Sequence, residues 1–328
     1  MQNLNVQYMG LSLSSPLVAA SSPFTGALDS IRALAAAGVG AIVLRSIFEE
    51  QIRAEVQDME AALDVEQHAE VYDYVRADLP MQIGPERYLQ LIRDAKQSVD
   101  VPIIASINCI SPGQWPTFAH KVAVAGADAL ELNVYDIPTA GDETGTAVEK
   151  RHLDMVRSVC QTVKIPVAVK IGAQYSSIPN FVKQLDGCGV KAVVLFNRFF
   201  QPQINLNSVT VGKGVNLSHA GDAGMAIRWL AILRNHVQCD LGMTTGVHAY
   251  GDVLRGILAG ANIVQLCSAL YGKDQFGCIG HMHQEIAAWM QTHNFASIDD
   301  FRGLLCEPLD GPSRGFTRAQ YVTTLLEQ

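Results

Sequence analysis

The amino-acid sequence predicts a single α/β domain of the (β/α)8-barrel class, the TIM barrel, with insertions in the βα loops. A ten-residue pattern occurs four times among the 328 residues: a glycine where a helix would end, a short apolar run, then one or two polar residues. This order is typical of a helix C-cap, a buried parallel strand and the exit of that strand. The four copies are residues 37–46, 125–134, 188–197 and 259–268.

Four further apolar runs alternate with these copies, which brings the number of predicted strands to eight. They cover residues 16–20, 102–107, 166–171 and 239–243. Three of them begin with proline, a residue that suits the first position of a strand. Barrels of this class place their chemistry at the carboxyl ends of the strands. The side chains just after each strand are therefore the candidates for function.

Two long connections follow the early strands. Residues 49–74, between the second and third strands, are charged and helix-prone, and residues 76–88 are interpreted as an excursion outside the core. This gap is the widest in the chain, so we expect it to carry a lid or an interface. Residues 135–145, after the fourth strand, are polar and rich in turn-forming residues, which favours either a mobile flap or merely a long connection.

The second half of the chain adds an insertion and a tail. Residues 199–218, after the sixth strand, are expected to be irregular, and residues 289–328 are predicted to form helices that close the barrel. No linker or change in composition divides the chain. Residues 1–328 are therefore predicted to form a single domain rather than two units.

The composition narrows the class of protein. Apolar residues make up 48% and charged residues 17%, enough for one large core, and the net charge of −8 argues against nucleic-acid binding. No apolar run is as long as a membrane span and the first residues lack a secretory pattern, so we expect a cytoplasmic protein with no membrane partner. The seven cysteines include no Cys-x-x-Cys pair, which favours reduced thiols over disulfides or a metal site.

Lys170 interrupts the fifth strand, whose other residues from Val167 to Ile171 are apolar. An isolated buried charge is costly, so this ammonium must reach solvent or meet an anionic partner. In the first case the side chain extends past the strand end. In the second it faces a ligand in the barrel mouth, either as a Schiff-base amine or as a counter-charge.

The exits of the last two strands favour a phosphate site. Thr244, Thr245 and Gly246 follow the seventh strand, and Cys267 and Ser268 follow the eighth. Many barrels bind phosphate at these two positions through backbone N–H groups and a short helix N-terminus. Hydroxyl groups add donors and glycine permits close approach, although an ordinary turn would have the same residues.

Amide and small side chains follow four other strands. Asn108, Asn133 and Asn197 each lie at or beside a strand exit, where a single asparagine would be a turn or capping residue. Three of them on one rim indicate amide groups that bind a planar, hydrogen-bonding ligand. Ala20 and Ser21, after the first strand, have the small side chains that a flat ring requires.

With these residues, the chain resembles the dihydroorotate dehydrogenase family and the flavin domain of dihydropyrimidine dehydrogenase. The resemblance covers most of the chain and is clearest in residues 104–109 and 125–133. It implies FMN at the carboxyl end of the barrel and an oxidoreductase that transfers a hydride between the flavin and a small, cyclic C–C substrate. It places Lys170 beside the ring's N1 and O2, where a cation stabilises the negative charge of reduced flavin. It assigns to the FMN site Ala20, Ser21, Arg45, Ser46, Asn108, Asn133, Lys170, Asn197, Thr244, Thr245, Gly246, Cys267 and Ser268.

The substrate-binding half of the family pattern is altered. The family motif Asn-x-Ser-Cys-Pro-Asn supplies a Cys or Ser base and a substrate-binding Asn, and residues 133–138 here are Asn-Val-Tyr-Asp-Ile-Pro. Asp136 stands at the base position, so it is either the proton-handling residue, with Tyr135 as an alternative, or a turn former. Arg45 replaces a family lysine, and residues 80–87 lack the family's second Asn. Dihydroorotate is therefore expected to be a poor substrate.

Two other functions stay open. One is an aldolase-like barrel in which Lys170 forms a Schiff base with a phosphorylated sugar, and the other is a non-catalytic flavin-binding relative. The expected partners are a small-molecule substrate, an electron acceptor that the sequence does not name, and a second copy of the chain. Phe199, Phe200 and Ile204 in the insertion supply apolar surface for such a homodimer.

Overall fold

The computed structural model describes residues 2–52, 84–109, 115–134, 136–198, 202–212, 217–310 and 312–326. Its centre is a barrel of eight parallel strands, numbered β1 to β8 along the chain. Their bounds are Leu17–Ala19, Ala41–Val43, Ile103–Cys109, Ala129–Val134, Val167–Ile171, Ala192–Leu195, Asp240–Met243 and Ile263–Leu266. The strands pair in the order β2-β1-β8-β7-β6-β5-β4-β3, and β2 pairs with β3 to close the ring. The prediction of a (β/α)8 barrel is confirmed.

Helices surround the barrel, and each of the first eight follows the strand of the same number. α1 to α8 are Leu28–Ala36, Pro85–Ser98, Trp115–Val124, Gly145–Thr162, Ile178–Gly187, Ala223–Leu233, Tyr250–Leu258 and Gly277–Thr292, and α9 is Arg318–Leu326. Every residue of β1, β2, β5, β6 and β8 is buried. Strands covered on both faces need apolar residues at consecutive positions, which explains the continuous apolar runs.

The four repeated glycines end four of these helices. Gly38, Gly126, Gly189 and Gly260 have φ angles of +96°, +101°, +92° and +114°. Each lies two residues past the end of α1, α3, α5 or α7, and its N–H donates to a carbonyl of the last turn. Positive φ values favour glycine, so the repeated pattern is a helix C-cap, as the sequence predicts.

A short antiparallel hairpin covers the amino end of the barrel. Its strands are Val6–Tyr8 and Leu11–Leu13. Between them, the Met9 N–H donates to the Asp240 carboxylate at 2.7 Å, and Asp240 begins β7. The hairpin therefore lies at the opposite end of the barrel from the predicted site residues, which follow the carboxyl ends of the strands. Within the described ranges, no helix is long and apolar enough to cross a membrane.

The predicted excursion over residues 76–88 is wrong at its carboxyl end. Tyr88 belongs to α2 and is 1% exposed. Its hydroxyl donates to the Ser106 carbonyl at 3.0 Å and accepts the Ser106 N–H at 2.7 Å. Tyr88 thus anchors α2 on β3, because a buried tyrosine hydroxyl needs a partner. Residues 53–83, which include most of the charged connection, lie outside the described residues.

The insertion after β6 is more regular than the sequence predicts. Gln203–Asn205 pairs antiparallel with Thr210–Gly212. The Asn205 side-chain oxygen accepts two backbone N–H groups of the turn, at 2.9 and 3.1 Å. Alternation over so few residues gives a weak strand signal, which is why the expectation of irregular structure is wrong here. Phe199 and Phe200 lie outside the described residues.

The tail contains two predicted helices and a longer irregular stretch. α8 ends at Thr292 and α9 begins at Arg318. Between them, the described residues form one short 3-10 turn, Ile298–Asp300. Pro308 and Pro312 prevent a continuous helix here, because proline lacks the N–H that a helix interior needs. The predicted helical tail is therefore wrong between the two helices.

Candidate active site

Three serines link the exits of β1 and β2 to the middle of β3. The Ser21 hydroxyl accepts the Ser46 N–H at 2.9 Å and lies 3.0 Å from the Ser46 hydroxyl. The Ser46 hydroxyl lies 2.7 Å from that of Ser106. Next to them, the buried Ala20 donates its N–H to the Leu266 carbonyl at 2.8 Å. The predicted site residues Ala20, Ser21 and Ser46 therefore lie together and present small side chains.

Arg45 lies beside this group, at the end of β2. Its N–H donates to the Thr25 carbonyl at 3.2 Å. Its side chain occupies the space next to Gly26, where an added Cβ would be 3.1 Å from the Arg45 Cδ. A glycine in the loop after β1 thus makes room for the guanidinium stem at the barrel rim.

Amide side chains and Lys170 occupy one row across the adjacent strands β3, β4 and β5. Asn108 is in register with Asn133, and Asn133 with Lys170. The Asn197 side-chain N–H donates to the Asn133 side-chain oxygen at 2.9 Å. Because β5 lies between β4 and β6, this hydrogen bond passes over the end of the strand that carries Lys170. The structure brings these four predicted residues into one group.

A polar network crosses the barrel interior below this row. Lys170 is 8% exposed, and its Nζ donates to Gln265 Oε1 at 3.2 Å. Gln265 Nε2 donates to Glu131 Oε2 at 2.5 Å. Glu131 and Gln265 are each 1% exposed, and they lie on β4 and β8. Neither Glu131 nor Gln265 is among the site residues predicted from the sequence, although each is a polar residue inside an otherwise apolar run of a repeat copy.

Burial controls the electrostatics of the interior groups. It raises the pKa of Glu131, while the Lys170 ammonium and the hydrogen bond from Gln265 act in the opposite direction. Burial also raises the pKa of the Cys267 thiol, although the Lys170 charge opposes that shift. A thiol with a raised pKa remains protonated at neutral pH, so Cys267 contributes a small neutral side chain rather than a thiolate.

Ser218 joins the exits of β7 and β8. Its N–H donates to the Ser268 hydroxyl at 3.0 Å, and its own hydroxyl accepts the Gly246 N–H at 3.3 Å. The Ser218 hydroxyl also lies 3.1 Å from His248 Nε2. Two residues of the predicted phosphate site are thus linked by a third. From the sequence, Ser218 is predicted only to end the insertion over residues 199–218, because no motif marks it as a site residue.

The turn after β7 lies directly against the start of α6. Thr245 and Gly246 have φ angles of +75° and +77°, and the Thr245 hydroxyl donates to the Phe196 carbonyl at 3.1 Å. A Cβ on Gly246 would lie 2.2 Å from the Ala223 nitrogen, so only glycine allows this approach. Thr244 is buried, and its N–H donates to the Leu195 carbonyl at 2.7 Å.

A cavity of about 550 Å³ connects the amide group with this turn. Asn197, Thr244 and Thr245 line it, together with an ion pair of Arg198 and Asp222 at 3.6 Å. The cavity is open to solvent and its lining is more apolar than polar, so a small molecule with an apolar body and a few hydrogen-bonding groups can reach Asn197, Thr244 and Thr245.

Asp136 is held by α4. Its Oδ2 accepts from Arg151 at 2.6 Å and lies 3.2 Å from His152 Nε2. The other ring nitrogen of His152 lies 3.2 Å from the Tyr175 hydroxyl, and Arg151 also pairs with Glu143. Burial lowers the pKa of His152, although Asp136 opposes the shift. Tyr135, the alternative proton-handling residue, lies outside the described residues.

The described residues contain no candidate metal site. No group of three or more His, Cys, Asp or Glu side chains there could hold a metal ion. The polar groups at the barrel mouth include amides, hydroxyls, the buried Lys170 ammonium, the Arg45 guanidinium and the Arg198–Asp222 pair, which suit an organic ligand with hydrogen-bonding and anionic groups.

Comparison with known proteins places this arrangement among named relatives. A family model described as "Dihydroorotate dehydrogenase" matches residues 81–290. The catalytic subunit of dihydroorotate dehydrogenase B (NAD(+)) from Methanosarcina mazei is 28% identical, over 91% of this chain and 94% of the relative. The corresponding subunit from Thermoplasma acidophilum is 26% identical over 93% and 99%. Dihydroorotate dehydrogenase A (fumarate) from Lactobacillus helveticus is 25% identical over 92% and 98%.

Proposed function

Because this chain belongs to the dihydroorotate dehydrogenase family, whose model matches residues 81–290, we propose that it is an FMN-dependent oxidoreductase acting on CH–CH groups. The observation that carries the proposal is the environment of Lys170. This residue is a buried ammonium at the carboxyl end of β5, next to Asn133 and Asn197. The family relationship favours a cofactor-binding role for it over that of a Schiff-base nucleophile.

The residues at the barrel mouth fit FMN. A lysine ammonium has three donors, and the described residues give Lys170 one hydrogen bond, to Gln265. A buried ammonium with donors to spare suits a ligand that carries negative charge. Ser218, Gly246 and Ser268 are hydrogen-bonded to one another where the β7 turn packs against the start of α6, and the Ser268 hydroxyl, which accepts in this group, keeps its own proton to donate to a phosphate.

The cofactor would supply the hydride-accepting chemistry when bound. Lys170, Asn133 and Asn197 would hold its ring, with Asn108 on the next strand. The remaining residues would enclose it: Ala20, Ser21, Arg45 and Ser46 on the side of β1 and β2, and Thr244, Thr245, Gly246, Cys267 and Ser268 on the side of the phosphate.

Asp136 is the proposed proton-handling residue. Oxidation of a C–C bond requires a base for one proton while the hydride leaves on the other carbon. Arg151 and His152 orient the Asp136 carboxylate just past the end of β4, on the loop that follows the amide row. The alternative is a structural anchor that ties this loop to α4.

The proposed substrate is a small, unsaturated cyclic molecule other than dihydroorotate. Pro138 is exposed and offers no side-chain amide where the family motif has one. A site that hydrogen-bonds a polar substrate discriminates strongly when such a partner is lost. The relatives named for dihydroorotate therefore support the proposed reaction type, and the altered motif argues against the same substrate.

The first experiment identifies the cofactor. The purified protein should show a flavin absorption spectrum, and mass spectrometry of the released ligand should give FMN. Lys170→Met should weaken FMN binding, whereas Lys164→Met, at an exposed lysine, should not. A colourless protein that does not reconstitute with FMN contradicts the proposal. A borohydride-trapped adduct at Lys170 with carbonyl substrates would instead support the aldolase.

The second experiment tests the reaction. Stopped-flow reduction with dihydropyrimidines, dihydroorotate and NAD(P)H should find a reductant other than dihydroorotate. Asp136→Asn should slow that reduction, and Asp142→Asn, an exposed acid in the same loop, should leave it unchanged. Equal rates in both variants would make Asp136 a loop anchor. Absence of reduction by every compound would support a relative that only binds flavin.

A further inference from the structure

Glu131 is a buried carboxyl group that the proposed reaction does not use. It lies on β4 inside the barrel and is 1% exposed. One carboxyl oxygen accepts from Gln265 at 2.5 Å, and the other has no hydrogen-bond partner among the described residues. Burying an ionisable group in this way costs free energy, so its retention in the middle of the barrel requires a reason.

The carboxyl group determines which way the Gln265 amide points. A carboxylate only accepts hydrogen bonds, so the Gln265 NH2 must face Glu131. Its carbonyl oxygen then faces the opposite side, where it accepts from the Lys170 ammonium at 3.2 Å. Were the amide reversed, its NH2 would point at the ammonium, and two donors would meet. Glu131 therefore fixes the acceptor that holds Lys170 at the barrel mouth.

Glu131 also supplies the counter-charge to Lys170. The groups that face it come from four further elements: Lys170 on β5, Gln265 on β8, the phenol of Tyr8 in the amino-terminal hairpin and the phenol of Tyr88 on α2. Among these described groups, Lys170 carries the positive charge, and both phenols have raised pKa values, so they remain neutral. The charge at the cofactor site is thus that of a coupled pair rather than of Lys170 alone.

We propose that Glu131 is a positioning residue that, through Gln265, holds Lys170 at the cofactor site and offsets its charge, and that it thereby sets the reduction potential of the bound flavin. This inference rests on the proposed function, because it requires FMN at the barrel mouth. A positive charge near the ring favours the state of the flavin that carries more negative charge, and a carboxylate behind the ammonium weakens that preference.

The test measures the midpoint potential of the bound flavin by titration with dithionite against a reference dye. Glu131→Gln keeps the shape and an acceptor for Gln265 but removes the charge. We expect its equilibrium constant for two-electron reduction to increase about tenfold, which corresponds to a shift of roughly +30 mV. Asp128→Asn is the matched control. It removes a carboxylate at the amino end of the same strand, where Asp128 pairs with Lys96 outside the barrel, and should leave the potential unchanged.

A second variant separates the orienting role from the charge. Gln265→Leu removes the link, so that Glu131 and the ammonium attract each other directly and Lys170 withdraws from the mouth. Its potential should fall, as should that of Lys170→Met. Unchanged potentials in Glu131→Gln or, if that variant does not fold, in Gln265→Leu would overturn the inference while wild-type FMN binding still supports the proposed function. A wild-type protein that binds no FMN would overturn both.

Discussion

At the scale of single residues, burial shifts the pKa values of two groups of this barrel in opposite directions. His152 is 3% exposed and lies between the Asp136 carboxylate and the Tyr175 hydroxyl. Desolvation lowers its pKa from the ordinary value of 6.5, and the interactions with Asp136 only partly oppose the shift. Glu131 shows the opposite case, because desolvation raises the pKa of a carboxyl group. Desolvation thus disfavours the charged form of each group, although at Glu131 the Lys170 ammonium and the Gln265 hydrogen bond favour the carboxylate.

The lowered pKa of His152 predicts a stability that decreases in mild acid. Below the unfolded value of about 6.5, the unfolded chain binds a proton that the folded chain does not. The free energy of unfolding should therefore fall as the pH decreases from about 6.5 towards 5, by up to about 1.4 kcal/mol per pH unit from this group. His152→Gln should make the decrease less steep, as measured by urea unfolding at several pH values.

His236 provides the matched control for that measurement. It is exposed at the end of α6, and His236→Gln should leave the steepness unchanged. Because Glu131 contributes with the opposite sign in all variants, the comparison with wild type isolates His152. Identical pH profiles for wild type and His152→Gln would show that the buried imidazole takes up its proton without cost to the fold.

At the scale of secondary-structure elements, the sequence predicts the features that depend on neighbouring residues alone, namely the helix ends and the strands. Each repeat encodes its own helix end through a glycine such as Gly126, and its own strand through consecutive apolar residues, so the eight strands were predictable. The interior network was not, because hydrogen bonds between β4, β5 and β8 depend on the register of the closed barrel. The same holds for Ser218, whose partners belong to two other loops.

A substitution at Gly246 tests whether the turn after β7 takes part in the proposed phosphate site. A Cβ at this position meets the Ala223 backbone at 2.2 Å, and the φ angle is +77°. Gly246→Ala should move the β7 turn away from α6, weaken FMN binding at least tenfold and cost more than about 1 kcal/mol of stability. Fluorescence titration with FMN and urea unfolding measure the two effects.

Gly189→Ala is the control that separates the effect of backbone strain from that of the steric clash. Its φ angle is +92°, and an added Cβ would meet no atom within 4 Å. Gly189→Ala should therefore cost about 1 kcal/mol from the positive φ alone and leave FMN affinity unchanged. Equal FMN affinities for Gly246→Ala and Gly189→Ala would contradict a role of the β7 turn in binding phosphate.

At the scale of the whole molecule, none of the described elements covers the hairpin that follows β6. Ile204, Leu206, Val209 and Val211 are 72%, 85%, 86% and 73% exposed. Ile204 pairs with Val211 across the two strands, so these two aliphatic side chains share one face of the hairpin, and Leu206 and Val209 lie in the turn that joins the strands. Exposed apolar clusters of this kind usually mark interaction sites.

We expect this face to form a homodimer interface. Light scattering should then give twice the 35.5 kDa mass of the chain at micromolar concentration. Ile204→Thr combined with Val211→Thr keeps strand propensity but removes apolar area from each copy, and should weaken dimerisation at least tenfold, about 1.4 kcal/mol. Gln203→Thr, in the same strand on its polar face, should not change it. A species of 35.5 kDa alone in the wild type, or equal association of all variants, would contradict an interface at this hairpin.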